Sequence, residues 1–171
     1  MARNLLDALN QGLDNRAARR APMSPLGAGA SFGWSASELA ARLGVSPRTA
    51  RRYRATNVIP PHRLADFDRE VRGEYERRQR DRIGRRGLSE LKVQGRYRVS
   101  KSVYETHPDA PVKIMDGEHI PGATMREVFA LEDAGDPAAA NELLEQALSE
   151  AYGVGEGLSF ERADSAEYTI R

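Results

Sequence analysis

Residues 36–55, ASELAARLGVSPRTARRYRA, predict two short helices joined by a tight turn. Gly44 stands where that turn needs a residue that tolerates a left-handed backbone, and Ala40 is small enough for the two helices to approach each other. Ser46 followed by Pro47 is a typical start for the second helix. The inward positions carry apolar side chains at the expected intervals: Leu39, Leu43, Val45, Ala50 and Tyr53. The spacing therefore predicts a helix-turn-helix.

The second predicted helix has polar and basic side chains on its outer face. In the docking geometry of a helix-turn-helix, this face enters the major groove of DNA. Arg48 and Arg52, four residues apart, are candidates for contacts to guanine edges, whereas Arg42 and Arg54 are candidates for phosphate contacts. The full predicted DNA-binding set is Ser46, Arg48, Thr49, Arg51, Arg52, Arg54 and Arg42.

A helical hairpin with a solvated arginine face is the alternative interpretation of the same residues. Residues 41–60 contain five arginines and no acidic residue, whereas a merely soluble helix usually mixes charges of both signs. The segment therefore favours double-stranded DNA as a partner, without indicating which base sequence is bound.

The formal net charge of +1 hides a strong segregation along the chain. Residues 1–100 hold 21 of the 26 basic and 10 of the 25 acidic residues, a net charge of +11, whereas residues 101–171 carry −10. This asymmetry indicates nucleic-acid contact by the first half. Cysteine is absent, which excludes disulfides and thiolate metal sites. Without a signal-peptide pattern or a long apolar stretch, we expect no membrane association and a cytoplasmic, nucleoid-associated protein.

The pattern of elements predicts an α+β chain in four segments. Residues 1–20 predict an N-terminal amphipathic helix, and residues 21–33, rich in Pro, Gly and Ala, predict a linker. Residues 34–88 are predicted to form a helical DNA-binding domain in which an arginine-rich third helix follows the helix-turn-helix. Residues 89–171 predict a small mixed α/β domain, which is a candidate dimerisation module.

Strand patterns are confined to the C-terminal segment. Residues 91–104 predict a strand with a defect near Gly95. Asp116-Gly117 is the favoured two-residue turn of a small hairpin. Residues 158–170 predict a second hairpin that turns at residues 163–165.

No local pattern indicates an enzyme. The three histidines, His62, His107 and His119, are widely spaced and lack carboxylates at metal-ligand spacing. We therefore expect no catalytic residue, no metal and no cofactor. A hydroxyl cluster lies on or just after the strand predicted near residue 97, and by itself it is typical of an edge strand with polar residues outward: Ser100, Ser102, Tyr104 and Thr106.

In their order, these features resemble the telomere terminal proteins of linear actinobacterial replicons. The resemblance rests on the segments NLLDALNQGLD, ELAARLGVSPRTARRY and GRYRVSKSVY, and on the arginine-rich third helix. Its most discriminating part is the C-terminal FALEDAGD…LLEQALSEAYG unit with the acidic tail GLSFERADSAEYTI. The chain departs from the family in the linker at 21–33 and in KSVYETHPDAPVKIMDGEHIPG, which is longer and has its own Asp-Gly turn.

The resemblance implies recognition of DNA ends and protein-primed synthesis of the terminal DNA. In that family a hydroxyl of the protein becomes linked to the 5′ end of the DNA, while the polymerase supplies the catalysis. The position of the priming residue corresponds to Thr106 here, with Tyr104 and Ser102 as further candidates. The implied partners are a telomere-associated protein and a DNA polymerase. Residues 89–171 would then combine dimerisation with priming.

A transcriptional repressor or accessory regulator of a plasmid, phage or other mobile element is the alternative function. In that case residues 121–171 would form the dimer module of a homodimer, and the operator would be palindromic with half-sites about 34 Å apart. An architectural protein that binds duplex DNA without sequence preference is a third reading.

Overall fold

The structure is a computed structural model that describes residues 4–99, 105–106, 112–113, 119–152 and 158–171. Its α-helices are α1 (Leu5–Arg20), α2 (Pro25–Phe32), α3 (Ala36–Leu43), α4 (Pro47–Thr56), α5 (Leu64–Arg86), α6 (Gly122–Asp133) and α7 (Pro137–Tyr152). A single 3-10 turn, Pro61–Arg63, precedes α5. The strands are β1 (Leu88–Val99), β2 (Glu105–Thr106), β3 (Val112–Lys113) and β4 (Leu158–Ile170). The mostly helical chain with one antiparallel sheet confirms the α+β class.

The chain forms two compact units whose boundaries differ from the predicted segments. One unit combines residues 1–13 with residues 79–171, and the other comprises residues 14–78. The predicted N-terminal helix is present as α1, but it is not a segment of its own, because its first half belongs to the same unit as the C-terminal residues. The boundary predicted near residue 88 also falls elsewhere, since α5 continues across residues 78 and 79. Neither feature is visible in local periodicity, because each depends on contacts between residues far apart in the sequence.

In the unit that contains the sheet, β1 is the central strand. It pairs antiparallel with β4 along one edge, and with the short strands β2 and β3 along the other. The core of this unit includes the buried leucines of the first half of α1 and apolar residues from β1, α6 and α7. The largest fully buried side chains in it are Leu5, Leu6, Leu9, Leu13, Ile83, Leu88, Leu91, Ile120, Met125, Leu144 and Leu148.

The hairpin predicted for residues 158–170 is wrong, because these residues form one continuous strand, β4. Its pairing partner is β1, and the register skips Asp164 between the pairs Gln94–Ser165 and Gly95–Ala163. The turn-like residues 163–165 are thus a β-bulge, which accommodates an extra residue without reversing the chain. A Cβ on Gly95 would overlap the carbonyl oxygen of Arg162, so the backbones of the two strands approach closely at the predicted defect.

The short strands opposite β4 lie within a segment that is described only in part. Thr106 pairs with Arg98 and Val112 with Val93, while Ile120 bridges to Leu88. The predicted Asp116-Gly117 turn lies outside the described residues.

In the unit of residues 14–78, the linker predicted for residues 21–33 is wrong, because most of it is helical. Residues 25–32 form α2, which begins at the N-cap Ser24 and ends at Gly33 with a φ of 74°. Ala28 and Phe32 of this helix are buried with the apolar residues of α3, α4 and α5. The Pro, Gly and Ala content suggested a linker, but Pro at the first helical position and Gly after the last are also the usual ends of a helix. Burial of one apolar face decided between the two.

Candidate nucleic-acid interface

The α3–α4 pair is built by strong local signals at each helix end. Ser35 and Glu38 form a reciprocal capping box at the start of α3, with N···O distances of 2.7 and 3.1 Å. Gly44 ends α3 in the left-handed conformation, with a φ of 61°. Ser46 caps α4 by accepting a hydrogen bond from the Thr49 N–H at 3.2 Å, and Pro47 opens the helix. The predicted turn is thus present as two capped helices separated by three residues.

The inner faces of α3 and α4 pack on the core of their unit. Leu39, Ala40, Leu43, Ala50 and Tyr53 are all buried. Val45 is partly buried and packs against the same cluster. These contacts fix the rotation of α4 about its axis, and therefore decide which of its side chains face outward.

Three arginines form the outer face of α4. Arg48, Arg51 and Arg52 are exposed, and they stand three and four positions apart on one side of the helix. Among the residues that the structure describes, none of the three has a carboxylate within ion-pair distance. Arg52 lies near the ring of Tyr53, with its guanidinium carbon 5.9 Å from the ring centroid. We name Arg48, Arg51 and Arg52 the α4 arginine face.

The two hydroxyl residues predicted with this face serve the helix start. The Ser46 Oγ and Thr49 Oγ1 lie 2.9 Å apart, and the Ser46 Oγ also accepts the backbone hydrogen bond that caps α4. Ser46 is exposed and Thr49 is half-buried. Both residues lie at the end of α4 where backbone N–H groups and the helix dipole favour a phosphate.

Arg42, a predicted phosphate contact, is instead held inside its own unit. Its Nη2 donates a hydrogen bond to Glu74 at 3.0 Å, its Nη1 lies 3.6 Å from Glu70, and its guanidinium stacks 4.4 Å from the ring centroid of Trp34. Glu70 and Glu74 lie on α5, and Trp34 lies just before α3. All three are outside residues 36–55, so the periodicity of that segment could not reveal these contacts. The structure therefore separates Arg42 from the α4 arginine face.

Arg54, the other predicted phosphate contact, points toward α2. It is half-buried, and a Cβ built on Gly29 would lie 3.3 Å from its Nη2. Gly29 thus makes room for this guanidinium. Arg54 lies at the margin of the α4 arginine face instead of within it.

Glu74 is the carboxylate that organises the inner arginines, and the sequence analysis did not single it out. Only 7% of the residue is exposed. Besides Arg42, it accepts hydrogen bonds from Arg77 at 2.6 Å and from Arg78 at 2.9 Å. Burial acts to raise the pKa of Glu74, but the hydrogen bond from Arg78 and the charges of Arg77 and Arg42 outweigh it, so the pKa is lowered.

Arg78 extends this cluster to α2. Its guanidinium donates to the carbonyl oxygens of Ser31 at 3.2 Å and Phe32 at 2.7 Å, and it lies 5.0 Å from the centroid of the Phe32 ring. The spacing of Glu74 to Arg77 and Arg78, three and four residues, was a visible signal for ion pairing within α5. The contacts to α2 and α3 had no such signal.

Chain comparisons found no match among protein-family models, curated proteins or solved structures. Among the helices that the structure describes, none combines the length and apolar character needed to cross a membrane. The described residues also contain no group of three or more His, Cys, Asp or Glu side chains placed to hold a metal ion.

The candidate priming residues lie at the margin of the described chain. Ser102 and Tyr104 fall outside the described residues, as do Ser100 and His107. Thr106 belongs to β2, where its backbone pairs with Arg98 of β1. Since β2 pairs only with β1 among the described strands, Thr106 stands in an edge strand.

Proposed function

We propose that the α3–α4 pair is a helix-turn-helix, and that the protein binds double-stranded DNA by inserting the α4 arginine face into the major groove. The observation that carries the proposal is the contrast in ion pairing within one unit. Arg48, Arg51 and Arg52 are exposed without a described carboxylate partner, while Arg42 and the arginines of α5 up to residue 78 are paired.

Guanidinium groups on one helix face suit two kinds of DNA acceptor. Arginine binds the O6 and N7 of guanine in a bidentate manner, and it binds phosphate oxygens with the same fork of donors. The unit of residues 14–78 carries 13 arginines and 7 acidic residues, a net charge of +6. A net positive unit attracts the duplex before base contacts form.

The test compares two triple variants that remove the same charge. Duplexes selected from a random pool by the full-length protein provide the probe, and fluorescence anisotropy gives the affinity. We expect R48Q/R51Q/R52Q to lose the preference for the selected duplex over a scrambled one. The control R63Q/R69Q/R72Q removes arginines paired with Asp66 and Asp68, and it should retain the preference. If both variants lost this preference equally, the α4 arginine face would contribute only through its positive charge and not through base contacts.

The resemblance to telomere terminal proteins supports a more specific proposal, in which the bound DNA is a replicon end and a hydroxyl of this chain primes its synthesis. Thr106 is the first candidate, followed by Tyr104 and Ser102. The hydroxyl would attack the α-phosphate of a deoxynucleoside triphosphate and release pyrophosphate. Intact mass after incubation with host extract, a labelled deoxynucleoside triphosphate and a telomere-like template should therefore increase by one nucleotide monophosphate. Labelling should disappear in the T106A variant while duplex binding persists. Labelling that survives substitution of all three residues excludes this role.

An unchanged mass together with sequence-selective binding would favour the dimeric repressor or accessory regulator. Footprints on a palindrome with half-sites about 34 Å apart would then be expected, together with a dimer in analytical ultracentrifugation. Protection of an isolated, non-palindromic end by a monomer would favour the terminal-protein role.

A further inference from the structure

The C-terminal end of α5 carries a second group of arginines whose surroundings differ from those of the preceding turns. Arg63, Arg69, Arg72, Arg77, Arg78 and Arg80 all lie within ion-pair distance of a carboxylate. Arg82, Arg85 and Arg86 are exposed, and among the described residues none of them has such a partner. The change occurs within one helix, so it is not a property of its general composition.

These three arginines share one face of α5. Residues three and four apart are neighbours on a helix surface, which places Arg82 beside both Arg85 and Arg86. Asp81 is the nearest acidic residue in sequence, and among the described residues it forms no ion pair with any of the three. Three exposed positive charges thus occupy neighbouring positions of α5 with no ion-pair partner among the described residues, and such a surface attracts anions.

Stabilisation of the helix end is the alternative role for these arginines, because cations near a helix C-terminus are favourable. In α5 another residue already supplies that cation. Arg126 of α6 donates a hydrogen bond through its Nη1 to the carbonyl oxygen of Gly84, and the Gly87 N–H bonds to the carbonyl oxygen of Ile83 at 2.7 Å. The last turn is therefore capped, and Arg126 adds a fourth positive charge beside it.

We infer that Arg82, Arg85 and Arg86 form a phosphate-binding surface for the backbone of duplex DNA, separate from the α4 arginine face. This inference rests on the proposed DNA-binding function and adds a sequence-independent contact made by the other compact unit. Neighbouring guanidinium groups on a regular helix face suit the repeating charge of a duplex backbone, and Arg126 holds the helix end that presents them through its hydrogen bond to Gly84.

The experiment measures the salt dependence of DNA affinity for the full-length protein and two triple variants. Each phosphate contact contributes about 0.9 to the slope of log K against log salt concentration. We expect R82Q/R85Q/R86Q to lower that slope by about 2 to 3, and to weaken binding about 10- to 100-fold at physiological salt. Its ratio of affinities for selected and scrambled duplexes should equal that of the unmodified protein.

The control R63Q/R69Q/R72Q removes the same charge from carboxylate-paired arginines nearby, and its slope should change by less than half as much. Far-UV circular dichroism checks that both variants remain folded. A slope in R82Q/R85Q/R86Q equal to that of the control overturns the phosphate surface while leaving the α4 arginine face intact. A full-length protein that binds no duplex at any salt concentration overturns the proposed function itself.

Discussion

Helices α4 and α5 are both rich in arginine, yet the first half of α5 uses its arginines differently from α4. Up to residue 78 of α5, Asp66, Asp68 and Glu74 hold the arginines at positions 69, 72, 77 and 78 in ion pairs. Along α4 there is no acidic residue, and the α4 arginine face is exposed. The comparison teaches that an arginine's role follows from its carboxylate neighbours in three dimensions. Arg42 illustrates this. It lies in α3, shortly before α4 in sequence, but it hydrogen-bonds to Glu74, which also binds arginines of α5.

The largest effect should come from removing the carboxylate on which the paired arginines converge. We expect E74Q to lower the free energy of unfolding of its unit by about 2–3 kcal/mol, because three arginines lose a charged partner. Urea unfolding followed by the fluorescence of Trp34, the only tryptophan, reports on this unit. D66N, which breaks less buried pairs with Arg63 and Arg69, should cost under about 1 kcal/mol. Equal costs would mean that the buried carboxylate contributes no more to stability than the more exposed one.

Substitutions at Arg42 and Arg48 should have opposite consequences, one for stability and the other for duplex preference. R42A removes the stacking on Trp34 and a partner of Glu74, so we expect about 1–2 kcal/mol less stability and an unchanged duplex preference. R48A removes an exposed side chain, so its stability should stay within about 0.5 kcal/mol, while base discrimination falls by about 1–3 kcal/mol. Urea unfolding and anisotropy on the same preparations measure both. If R42A lost base discrimination and R48A kept it, Arg42 would be the DNA contact and Arg48 would not.

The cap of α4 tests whether its N-terminal end faces an anion. S46A should lower stability by about 1 kcal/mol, because the Thr49 N–H loses its acceptor. S46D keeps a capping oxygen, so its stability should stay near that of the unmodified protein. If the helix start lies against DNA, S46D should nevertheless bind duplex more weakly than S46A, since it adds a negative charge there. Equal binding by the two variants would move the interface away from this end.

The smallest effect concerns Glu145, a carboxylate in the unit that contains the sheet, which forms no ion pair with an arginine among the described residues. Burial raises the pKa of Glu145 of α7, and the hydrogen bonds from Asn141 at 3.1 Å and the Phe160 N–H at 3.3 Å only partly oppose it. Stability from this group is therefore present below its ordinary pKa and is lost as the pH rises through the higher folded pKa. Glu74 has the opposite sign, because its stabilisation is lost as the pH falls below its ordinary value.

We therefore expect E145Q to gain stability relative to the unmodified protein as the pH rises above about 4.5. Amide hydrogen exchange at Phe160, followed by NMR across this range, measures the local effect. Below about pH 4.5 the stability deficit of E74Q relative to the unmodified protein should shrink as the pH falls, because the unmodified protein loses the stabilisation from Glu74 there. Parallel pH profiles in the two variants would contradict both assignments.

Much of the α3–α4 pair was predictable from residues near one another in sequence. The turn at Gly44, the cap at Ser46 and the inward apolar positions depend on backbone conformation and helical periodicity, so local reasoning found them. The positions of Arg48, Arg51 and Arg52 on the outer face followed from the same periodicity. The inner position of Arg42 did not, because its partners Glu74 and Trp34 lie on other elements.

The sequence by itself determined the α+β class, the capped helices and the segregation of charge, because each follows from composition or from spacing within a few residues. Only the tertiary structure decided that residues 25–32 are a helix, that residues 158–170 are one strand and that residues 1–13 join the unit of residues 79–171. It also decided which arginines are neutralised. Each of these outcomes depends on burial or pairing between residues distant in the chain, and such contacts leave no periodic mark in the sequence.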